Sequence, residues 1–543
     1  MDVLVASCEL QNAYVDFILK YAPRVITQVD RDPHSMTYGS CDRNHWHLKV
    51  RDFDSAILSQ TGLALTLLYQ LNFQGNIYYQ NENMRRWAEA TVTYWAKIQH
   101  SDGSFDEYFP NEHGFPPTAF SLYSTTQTYI RLGMSNKDVK DKIAKTAHYL
   151  CDNSQNLAMN QEIASIAALY SAYLVIKEDW VLHGCKKKLD IALKYQSDEG
   201  WFPEHHGADI GYLSVLLDFL SEYYYLSKDE CVVEPIKKIV EFMKFFIHPD
   251  GSMGGSHGSR ETTYFLPSGL EVAAQLGVDI ALSIKNKLYA DTDKYNYFMG
   301  SVDERYLSHY VFHSFLRALE KEQASTYSMV APKLPCESEN TKYFKDAGLL
   351  AFNSKLYSSI VGLRKGGVIK VFSDGKETFL DCGYRVNYGN GVVAATNWCD
   401  LAYDVSYSEN IANVSGFMNK IALRTPTPIA LFGLRIVSFL IGNKVVGFLK
   451  RNLILVDKHL DVSFERTITF SDDSIEIQDH ILSPTPVTIE RASNMPLRLV
   501  PSAKFFTTSD LLVNPEVIKA DTKEVTVVTK IDLINNVKSI ELI

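Results

Sequence analysis

A break rich in Asp, Gly, Asn and Pro returns about every fifty residues in the first half of the sequence. The breaks begin at Asp102, Asp152, Asp198 and Asp250, and the stretches between them carry apolar residues at helical spacing. A period of this length holds two helices and two loops, so the repeating unit is a helical hairpin. Stacked hairpins put every second loop at one end, which predicts an α/α toroid. A plain helical bundle is the alternative.

From about residue 340 the sequence alternates apolar and polar residues and favours Val, Ile, Thr and Phe. Segments 467–470 and 475–477 are predicted to be two strands joined by a turn at 471–474. The fold class is therefore α + β multidomain, with an N-terminal α/α toroid of repeated helical hairpins and a C-terminal antiparallel β-sandwich. We expect the toroid to be the catalytic domain at 1–335 and the sandwich to occupy 336–543.

The charge balance restricts the partners. Lys and Arg number 54 against 64 Asp and Glu, a net charge of −10. A protein that binds nucleic acid along its surface usually has the opposite sign, so we expect no nucleic-acid partner. An anionic polysaccharide remains compatible if the cleft that binds it is locally basic. The sequence leaves the oligomeric state open.

The eight cysteines are scattered and form no CxxC pair, which is typical of reduced thiols. The N-terminal residues lack the pattern of a signal peptide, and no apolar run is long enough to span a bilayer, so we expect a cytoplasmic protein. Nucleotide-binding, nucleophile-elbow and zincin motifs are missing. We therefore predict neither a metal nor another cofactor.

Residues 410–456 contain no Asp or Glu but six Lys or Arg. The segment includes the apolar run ALFGLRIVSFLIG, which is too short to span a bilayer. The favoured interpretation is core strands with solvated basic edges. The alternative is an interfacial element that makes a peripheral contact with anionic lipid.

Six of the fifteen histidines lie in the loops of the helical repeat, where we expect proton transfer. In the first loop, Asn111 offers an amide for a substrate carboxylate, and the neighbouring His113 offers a proton acceptor or donor. Glu112 lies between them as a candidate substrate contact. The alternative is a helix cap with loop hydrogen bonds.

Two later loops complete the candidate site. The second places Tyr212, a candidate base or a core tyrosine, after four candidate substrate contacts. The third places His257, Arg260 and Tyr264 among glycines that allow close backbone approach to a ligand, and Arg260 can bind a carboxylate through two hydrogen bonds. The four substrate contacts of the second loop are Glu204, His205, His206 and Asp209.

A basic and aromatic patch precedes these loops in the sequence. Arg43, Trp46 and Lys49 are candidates for binding a sugar acid, because an indole can stack on a pyranose while the cations bind its carboxylate. The alternative is a solvated helix start with Trp46 in the core.

These segments resemble the heparinase II/III-like proteins, a superfamily of polysaccharide lyases. The resemblance rests on CDRNHWHLKVRDFDSAI, SDGSFDEYFPNEHGFPPTAF, WFPEHHGADIGYLSV and HPDGSMGGSHGSRETTYFLP, with FLDCGYRVNYGNG and SFERTITFSDDSIEIQDHI in the β half. It implies β-elimination on a uronic-acid polymer, in which Asn, His or Arg neutralises the carboxylate and Tyr or His moves the protons.

Carried to this chain, the resemblance makes six residues catalytic: Asn111, His113, Tyr212, His257, Arg260 and Tyr264. The family typically has a histidine in the first strands of the sandwich, and this chain has none there. Tyr384 or Tyr388 would take its place as a substrate contact.

Four functions follow, and the sequence does not separate them. A polysaccharide lyase, with a role in cell-surface polysaccharide metabolism, is the first. A uronyl C5-epimerase needs the same proton abstraction but reprotonates the carbon. A glycoside hydrolase would use two carboxylates among Glu107, Glu112, Glu204 and Asp209. A binding protein that has lost the chemistry is the fourth.

Overall fold

The computed structural model describes residues 2–289, 300–325, 331–421, 425–442, 458–493, 505–513 and 516–543, with side chains from residue 13 onward. Helices occupy the first part of the chain, and strands begin at Asn340. The predicted fold class, an α/α toroid followed by an antiparallel β-sandwich, is confirmed. The domain boundary at 335/336 stays a prediction.

The helices differ in length from single turns to seven turns. In chain order they are α1 (Asp2–Thr27), α2 (Arg43–Trp46), α3 (Thr61–Gln70), α4 (Glu82–Lys97), α5 (Phe115–Arg131), α6 (Lys137–Asp152), α7 (Met159–Ile176), α8 (Asp179–Ala192), α9 (Ile210–Ser227), α10 (Val233–Met243), α11 (Ser268–Gln275), α12 (Ile280–Tyr289), α13 (Glu304–Tyr306), α14 (Phe312–Gln323) and α15 (Pro428–Ile441).

Within the described residues, six helices close an inner ring in which each packs against the next. The order is α3, α5, α7, α9, α11 and α14, and α14 returns to α3. An outer layer of α1, α4, α6, α8, α10 and α12 surrounds it. The inner α7 is buried on most of its circumference, whereas the outer α4 buries one face, as their positions require.

Three of the sequence breaks fold into the same turn. Gly103, Gly200 and Gly251 have φ values of 91°, 104° and 84°. Each donates its N–H to the carbonyl three residues earlier. A Cβ atom at Gly103 or Gly200 would lie 2.4 or 2.3 Å from a carbonyl oxygen of the neighbouring outer helix, so only glycine fits. Each break follows an outer helix and precedes an inner one, which puts these loops at one end of the toroid.

The ring is closed by the first helix of the chain. Phe17 of α1 stacks on Phe315 of α14 with 4.0 Å between ring centroids, and the Tyr14 hydroxyl donates to Glu271 Oε1 at 2.9 Å. Inside the ring, Arg317 of α14 donates to Asp218 of α9 in a fully buried ion pair. The toroid therefore depends on contacts between its two sequence ends.

The strands form two antiparallel sheets. The first is a meander of β1 (Asn340–Phe344), β2 (Leu349–Asn353), β3 (Tyr357–Gly362), β4 (Val368–Ser373) and β5 (Lys376–Asp381). The second contains β6 (Tyr384–Asn387), β7 (Val393–Ala395), β8 (Asp404–Ser408), β9 (Ile411–Ile421), β10 (His459–Phe470), β11 (Ser474–Arg491), β12 (Val517–Asp532) and β13 (Val537–Leu542).

The order in the second sheet is β10-β9-β7-β6-β11-β12-β13, with β8 on β9 and a further pairing of β10 with β11. Phe470 pairs with Ile475, and Ser471 donates its N–H to the Ser474 carbonyl, which confirms the predicted hairpin. Apolar side chains of both sheets share one buried core, as a sandwich requires.

The sandwich packs on the loop end of the toroid. Phe344 of β1 contacts Phe242, Phe245 and Phe246 with ring centroids 4.8, 5.3 and 5.6 Å apart. The Glu199 carboxylate accepts the N–H groups of Asp346 and Ala347 at 2.9 and 3.0 Å. The first sheet thus covers part of the end where the candidate site residues lie.

The favoured interpretation of 410–456 as core strands is wrong for its middle. Residues 411–421 are a strand, but α15 is an exposed helix outside both sheets. Its ends carry ordinary helix signals: the Thr427 side chain accepts the Ala430 N–H, Pro428 occupies the first turn, and Gly442 follows the last residue. Residues 422–424 and 443–457 lie outside the described residues.

Candidate active site

One buried carboxylate, that of Asp106, shapes the first loop. Its Oδ2 accepts the N–H of Asn111 at 2.9 Å, and its Oδ1 accepts those of Glu112 and His113 at 2.7 and 3.2 Å. Asn111 and His113 have left-handed backbone conformations, with φ of 59° and 51°. Such conformations cost about 1 kcal/mol each for residues other than glycine and are common at functional sites. The loop is therefore held in a strained shape.

His113 is held through one ring nitrogen and one ring face. Its Nδ1 lies 2.8 Å from Asp102 Oδ2 and 2.7 Å from Ser104 Oγ, and its ring stacks on His100. The hydrogen bond to Asp102 raises the pKa of His113 against the effect of burial. The loop thus presents an imidazole that favours its cationic form.

Glu112 is buried between backbone donors. Its Oε2 accepts the N–H groups of Glu107 and Tyr108 at 2.9 and 2.7 Å. Burial, and then the negative charge of Glu107, raise the pKa of Glu112 to about 8. Glu112 therefore holds a proton at neutral pH.

Asp209 joins the second and third loops. Its Oδ1 caps α9 by accepting the Tyr212 N–H at 3.0 Å. Its Oδ2 accepts the N–H groups of Arg260 and Thr262 at 2.9 and 3.3 Å. Both carboxylate oxygens of Asp209 accept backbone N–H groups. Asp209 therefore positions the site and is not the substrate contact that the sequence predicted. The hydrogen bonds bring Tyr212 and Arg260 to the same place.

Glu204 and Arg260 form a buried ion pair, with Nη1 of Arg260 2.9 Å from Oε1 of Glu204. The other carboxylate oxygen accepts Nδ2 of Asn160 at 2.5 Å. Burial raises the pKa of Glu204 to about 7, and Arg260 opposes that rise. His205 Nε2 lies 3.6 Å from the same carboxylate. The pair holds a guanidinium in a fixed orientation.

Four tyrosines form a cluster next to this guanidinium. Arg260 Cζ lies 5.0 Å above the Tyr212 ring centroid. Tyr264 contacts the Tyr212 and Tyr306 rings at 6.2 and 5.7 Å, and its hydroxyl is hydrogen-bonded to that of Tyr310. Burial raises the pKa of Tyr264. Tyr264 is therefore suited to supporting the Tyr212 ring, whereas Tyr212 itself lies next to the Arg260 guanidinium.

The sequence analysis missed a second cation. Arg305 donates to Glu107 Oε1 at 2.5 Å, and its Cζ lies 4.8 Å above the Tyr108 ring. Tyr306, the next residue, raises the pKa of both Arg305 and Arg260, so it lies near both guanidinium groups. Tyr212 likewise raises the pKa of Tyr108, which joins the first loop to the second.

Arg305 and Tyr306 lie in α13, a single turn. A π-helical turn at 307–311 follows it, and α14 begins directly afterwards. Helical spacing over 303–321 predicts an ordinary helix there, but residues 307–311 form a π-turn, a feature often found at functional sites. The row of basic and aromatic residues in ERYLSHY was the available signal.

His257 and Tyr384, both named from the sequence, are inaccessible to a polymer. His257 is 2% exposed where the third loop meets the sandwich, and neither ring nitrogen has a hydrogen-bond partner among the described residues. Burial, with Lys370 and Lys365 nearby, lowers its pKa well below the ordinary value. Tyr384 lies inside the sandwich and donates to Asp479 Oδ2 at 2.9 Å. Both residues are therefore removed from the candidate site.

The remaining predicted contacts lie further out. Tyr388 follows β6 and packs on the core of the sandwich, and His206 is exposed in the second loop with φ of 77°. Lys49 is exposed, whereas the Trp46 indole N–H donates to the Gln28 carbonyl at 2.8 Å.

Arg43, at the start of α2, is half-buried. No described contact joins these five residues to Arg260 or Tyr212. In the part of the chain that the structure describes, no group of three or more His, Cys, Asp or Glu side chains is arranged to hold a metal ion.

Comparison with known proteins places the fold. No protein-family model and no curated protein matches the chain. A chondroitin AC lyase from Streptomyces coelicolor A3, solved with chondroitin sulphate, aligns with a TM-score of 0.52 and 10% identity over 89% of this chain and 68% of its own. A Paenibacillus xanthan lyase aligns with a TM-score of 0.51 and 12% identity over 89% of this chain.

The chain spans about half of that xanthan lyase, 46% of its length. A heparinase III structure aligns with a TM-score of 0.44 and 12% identity. At these identities the likeness to the first two structures shows the fold alone. The chain therefore has the toroid-and-sandwich fold of polysaccharide lyases, as the sequence resemblance implied.

Proposed function

We propose that the chain is a polysaccharide lyase that cleaves a uronic-acid-containing glycan by β-elimination. The observation that carries the proposal is the position of the Arg260 guanidinium, which lies over the Tyr212 ring and is fixed by the buried Glu204. β-Elimination needs this combination: a cation for the uronate carboxylate and a phenolate oxygen that accepts the proton beside it.

The reaction proceeds from those two groups. Arg260 binds the C6 carboxylate of the uronate and stabilises the charge that develops there when the C5 proton leaves. Acting as a phenolate, the Tyr212 oxygen takes that proton and becomes a phenol, the C4–O bond breaks with its electron pair, and a C4=C5 double bond forms. A proton delivered from a tyrosine hydroxyl neutralises the departing glycosidic oxygen.

The first loop supplies binding groups in this proposal. The Asn111 carboxamide makes no hydrogen bond within the described residues, whereas its backbone is held by Asp106. Because the backbone of Asn111 is held in place, its carboxamide can donate to a carboxylate bound at this loop. The imidazole of His113, whose pKa the hydrogen bond to Asp102 raises, and the guanidinium of Arg305 add hydrogen-bond donors for a polyanionic chain. The fold likeness to lyases of chondroitin and xanthan supports the same substrate class.

A glycoside hydrolase is the second candidate, because two buried glutamates have raised pKa values. Glu112 and Glu204 hold protons at or near neutral pH, as a general acid does. Asp209 no longer fits the hydrolase pair, since both of its oxygens bind backbone N–H groups. Epimerisation shares the proton abstraction of the lyase reaction and stays a third outcome of the test.

The test is ultraviolet absorbance during incubation with chondroitin sulphate, xanthan and further uronate polysaccharides, combined with measurement of chain length. A lyase yields shorter chains with an absorbing unsaturated end. Tyr212→Phe should abolish the signal, while Glu204→Gln retains part of it. Shorter chains without absorbance, lost in Glu204→Gln, would instead establish hydrolysis. Unchanged chains that take up deuterium at C5 would establish epimerisation, and unchanged chains without uptake would contradict all three reactions.

A further inference from the structure

Helix α15 exposes its apolar side chains to an unusual degree. Ile429, Phe432, Phe439 and Leu440 are 85%, 66%, 76% and 72% exposed, and Ile436 is 47% exposed. At 100° per residue these five side chains fall within an arc of about 100° on one side of the helix. A helix of a soluble domain ordinarily turns such a stripe toward the core.

The opposite side of α15 holds the helix to the toroid by polar contacts. The Ser438 hydroxyl donates to the Pro110 carbonyl at 3.0 Å, and Ser438 is the one fully buried side chain of the helix. Arg435 binds both carboxylate oxygens of Asp52, at 2.6 and 3.1 Å. Gly442, after the last turn, lies near the His113 ring. The apolar stripe therefore faces away from the protein.

The charge around the helix identifies the partner. From 410 to 456 the sequence has six Lys or Arg and no Asp or Glu, in a chain whose net charge is −10. Arg435, the one cation on the helix itself, pairs with Asp52 of the toroid, but the segment carries no acidic residue of its own. An apolar stripe within a segment whose charged residues are all cations matches a surface with an apolar interior and anionic head groups. Its fourteen residues extend about 21 Å, less than the roughly 30 Å of a bilayer core. No helix in the described ranges is long and apolar enough to cross a membrane.

We propose that α15 docks the protein on an anionic lipid bilayer, lying in the interface with its stripe of Ile429, Phe432, Ile436, Phe439 and Leu440 among the acyl chains. The proposal stands on the exposure of this stripe and on the local charge, and it is independent of the reaction that the toroid catalyses. Because the opposite side of α15 contacts Pro110, docking would leave the helix between the bilayer and the first loop.

The experiment is co-flotation of the full chain with vesicles of equimolar phosphatidylglycerol and phosphatidylcholine. Burying a phenylalanine contributes about 1.5–3 kcal/mol, so Phe432→Ser/Phe439→Ser should lower the partition coefficient on the order of a hundredfold or more. The matched control is Leu511→Ser/Ile534→Ser, at two side chains that are 70% and 66% exposed elsewhere. The control variant should bind like the unmodified chain. Vesicles of phosphatidylcholine alone should bind less, because the electrostatic attraction is missing.

A second measurement separates insertion from attraction to the surface. The emission of Phe439→Trp should shift to the blue when these vesicles are added, because an indole that enters the acyl region leaves water. Because the substituted side chains are exposed, the variants should melt at the same temperature as the unmodified chain. Equal melting temperatures would show that the variants fold. No flotation, equal flotation of the Phe432→Ser/Phe439→Ser variant, or no blue shift would overturn the proposal. A lipid-free dimer that dissociates in this double variant would also overturn it, since a second copy would then cover the stripe.

Discussion

Two arginine–glutamate pairs, each with a tyrosine under the guanidinium, lie at the loop end of the toroid and differ in burial. In the inner group, Arg260 pairs with Glu204 above a Tyr212 that is 7% exposed. The outer group consists of Glu107, Arg305 and Tyr108, and there the tyrosine is 46% exposed.

The difference in burial assigns different roles to similar side chains. Charges in a site that excludes water act more strongly on one another, so the inner group suits a reaction step. An exposed ring beside a partly buried arginine suits reversible binding of a polymer. Matched substitutions in the two groups test whether the inner group carries the reaction and the outer group binds the polymer.

The largest effect is expected from removing one hydroxyl in the inner group. Tyr212→Phe keeps the ring under Arg260 but cannot move a proton, so we expect kcat to fall on the order of 10²–10⁴-fold. Tyr108→Phe, in the outer group, should change kcat less than about threefold. Initial rates of product absorbance on the preferred glycan measure both. A similar fall in the two variants would break the division.

The two arginines should separate kcat from KM. Arg260→Lys retains the charge but loses the planar fork, so we expect kcat to fall about tenfold to a hundredfold. For Arg305→Lys we expect an increase in KM of about fivefold with kcat nearly unchanged, because binding alone is weakened. Steady-state kinetics measure both constants. An effect of Arg305→Lys mainly on kcat would place the chemistry in the outer group.

The glutamates beside the two groups give a stability prediction. Folded chains keep the proton of Glu112 up to about pH 8, whereas unfolded chains release it near the ordinary value of 4.5. Stability therefore falls as pH rises between these values, since the folded state binds more protons. In Glu112→Gln the amide oxygen can still accept both backbone N–H groups, and this part of the loss should disappear.

Melting temperatures from about pH 5 to about pH 9 check the prediction. The unmodified chain should lose a few degrees more than Glu112→Gln over this range. Glu204→Gln should flatten the curve less, because the pKa of Glu204 is raised only to about 7. Identical slopes in all three proteins would show that neither carboxyl holds an extra proton in the folded chain.

The smallest effect is expected at His257, outside both groups. Its ring is buried against Phe246 and has no hydrogen-bond partner among the described residues. His257→Leu should leave kcat and KM within about twofold, since an apolar side chain of similar volume suits the site. A loss as large as that of Tyr212→Phe would return His257 to the active site.

The repeat was predictable because the turns at three of its breaks require glycine at the same backbone position. Gly103, Gly200 and Gly251 share a turn with positive φ, and at Gly103 and Gly200 a side chain would also collide with the outer helix, so the sequence spacing of these glycines follows from packing. The sequence also predicted that one candidate site contains Glu204, Tyr212 and Arg260, because loops at one end of a toroid converge. Arg305 was missed because helical spacing alone does not reveal a π-turn.

Other errors arose where local pattern and burial disagree. Tyr384 was proposed in place of the histidine that the family typically has, yet its strand directs it toward Arg466 and Asp479 inside the sandwich. The apolar run of α15 lacks a polar period, so it was interpreted as strand, although Thr427 and Pro428 indicate a helix start. Sequence patterns predict which side chains are apolar, but not whether the protein itself covers them.

The closure of the ring by α1 has a consequence for synthesis of the chain. Phe17 stacks on Phe315, so the first helix waits for roughly 300 further residues before its partner exists. At about 5–20 residues per second this takes roughly 15–60 s, during which its apolar face is without its native cover. Until α14 is made, the nascent toroid is an open arc with an exposed apolar surface at its end. In this interval a chaperone could bind that surface, or two chains could associate end to end.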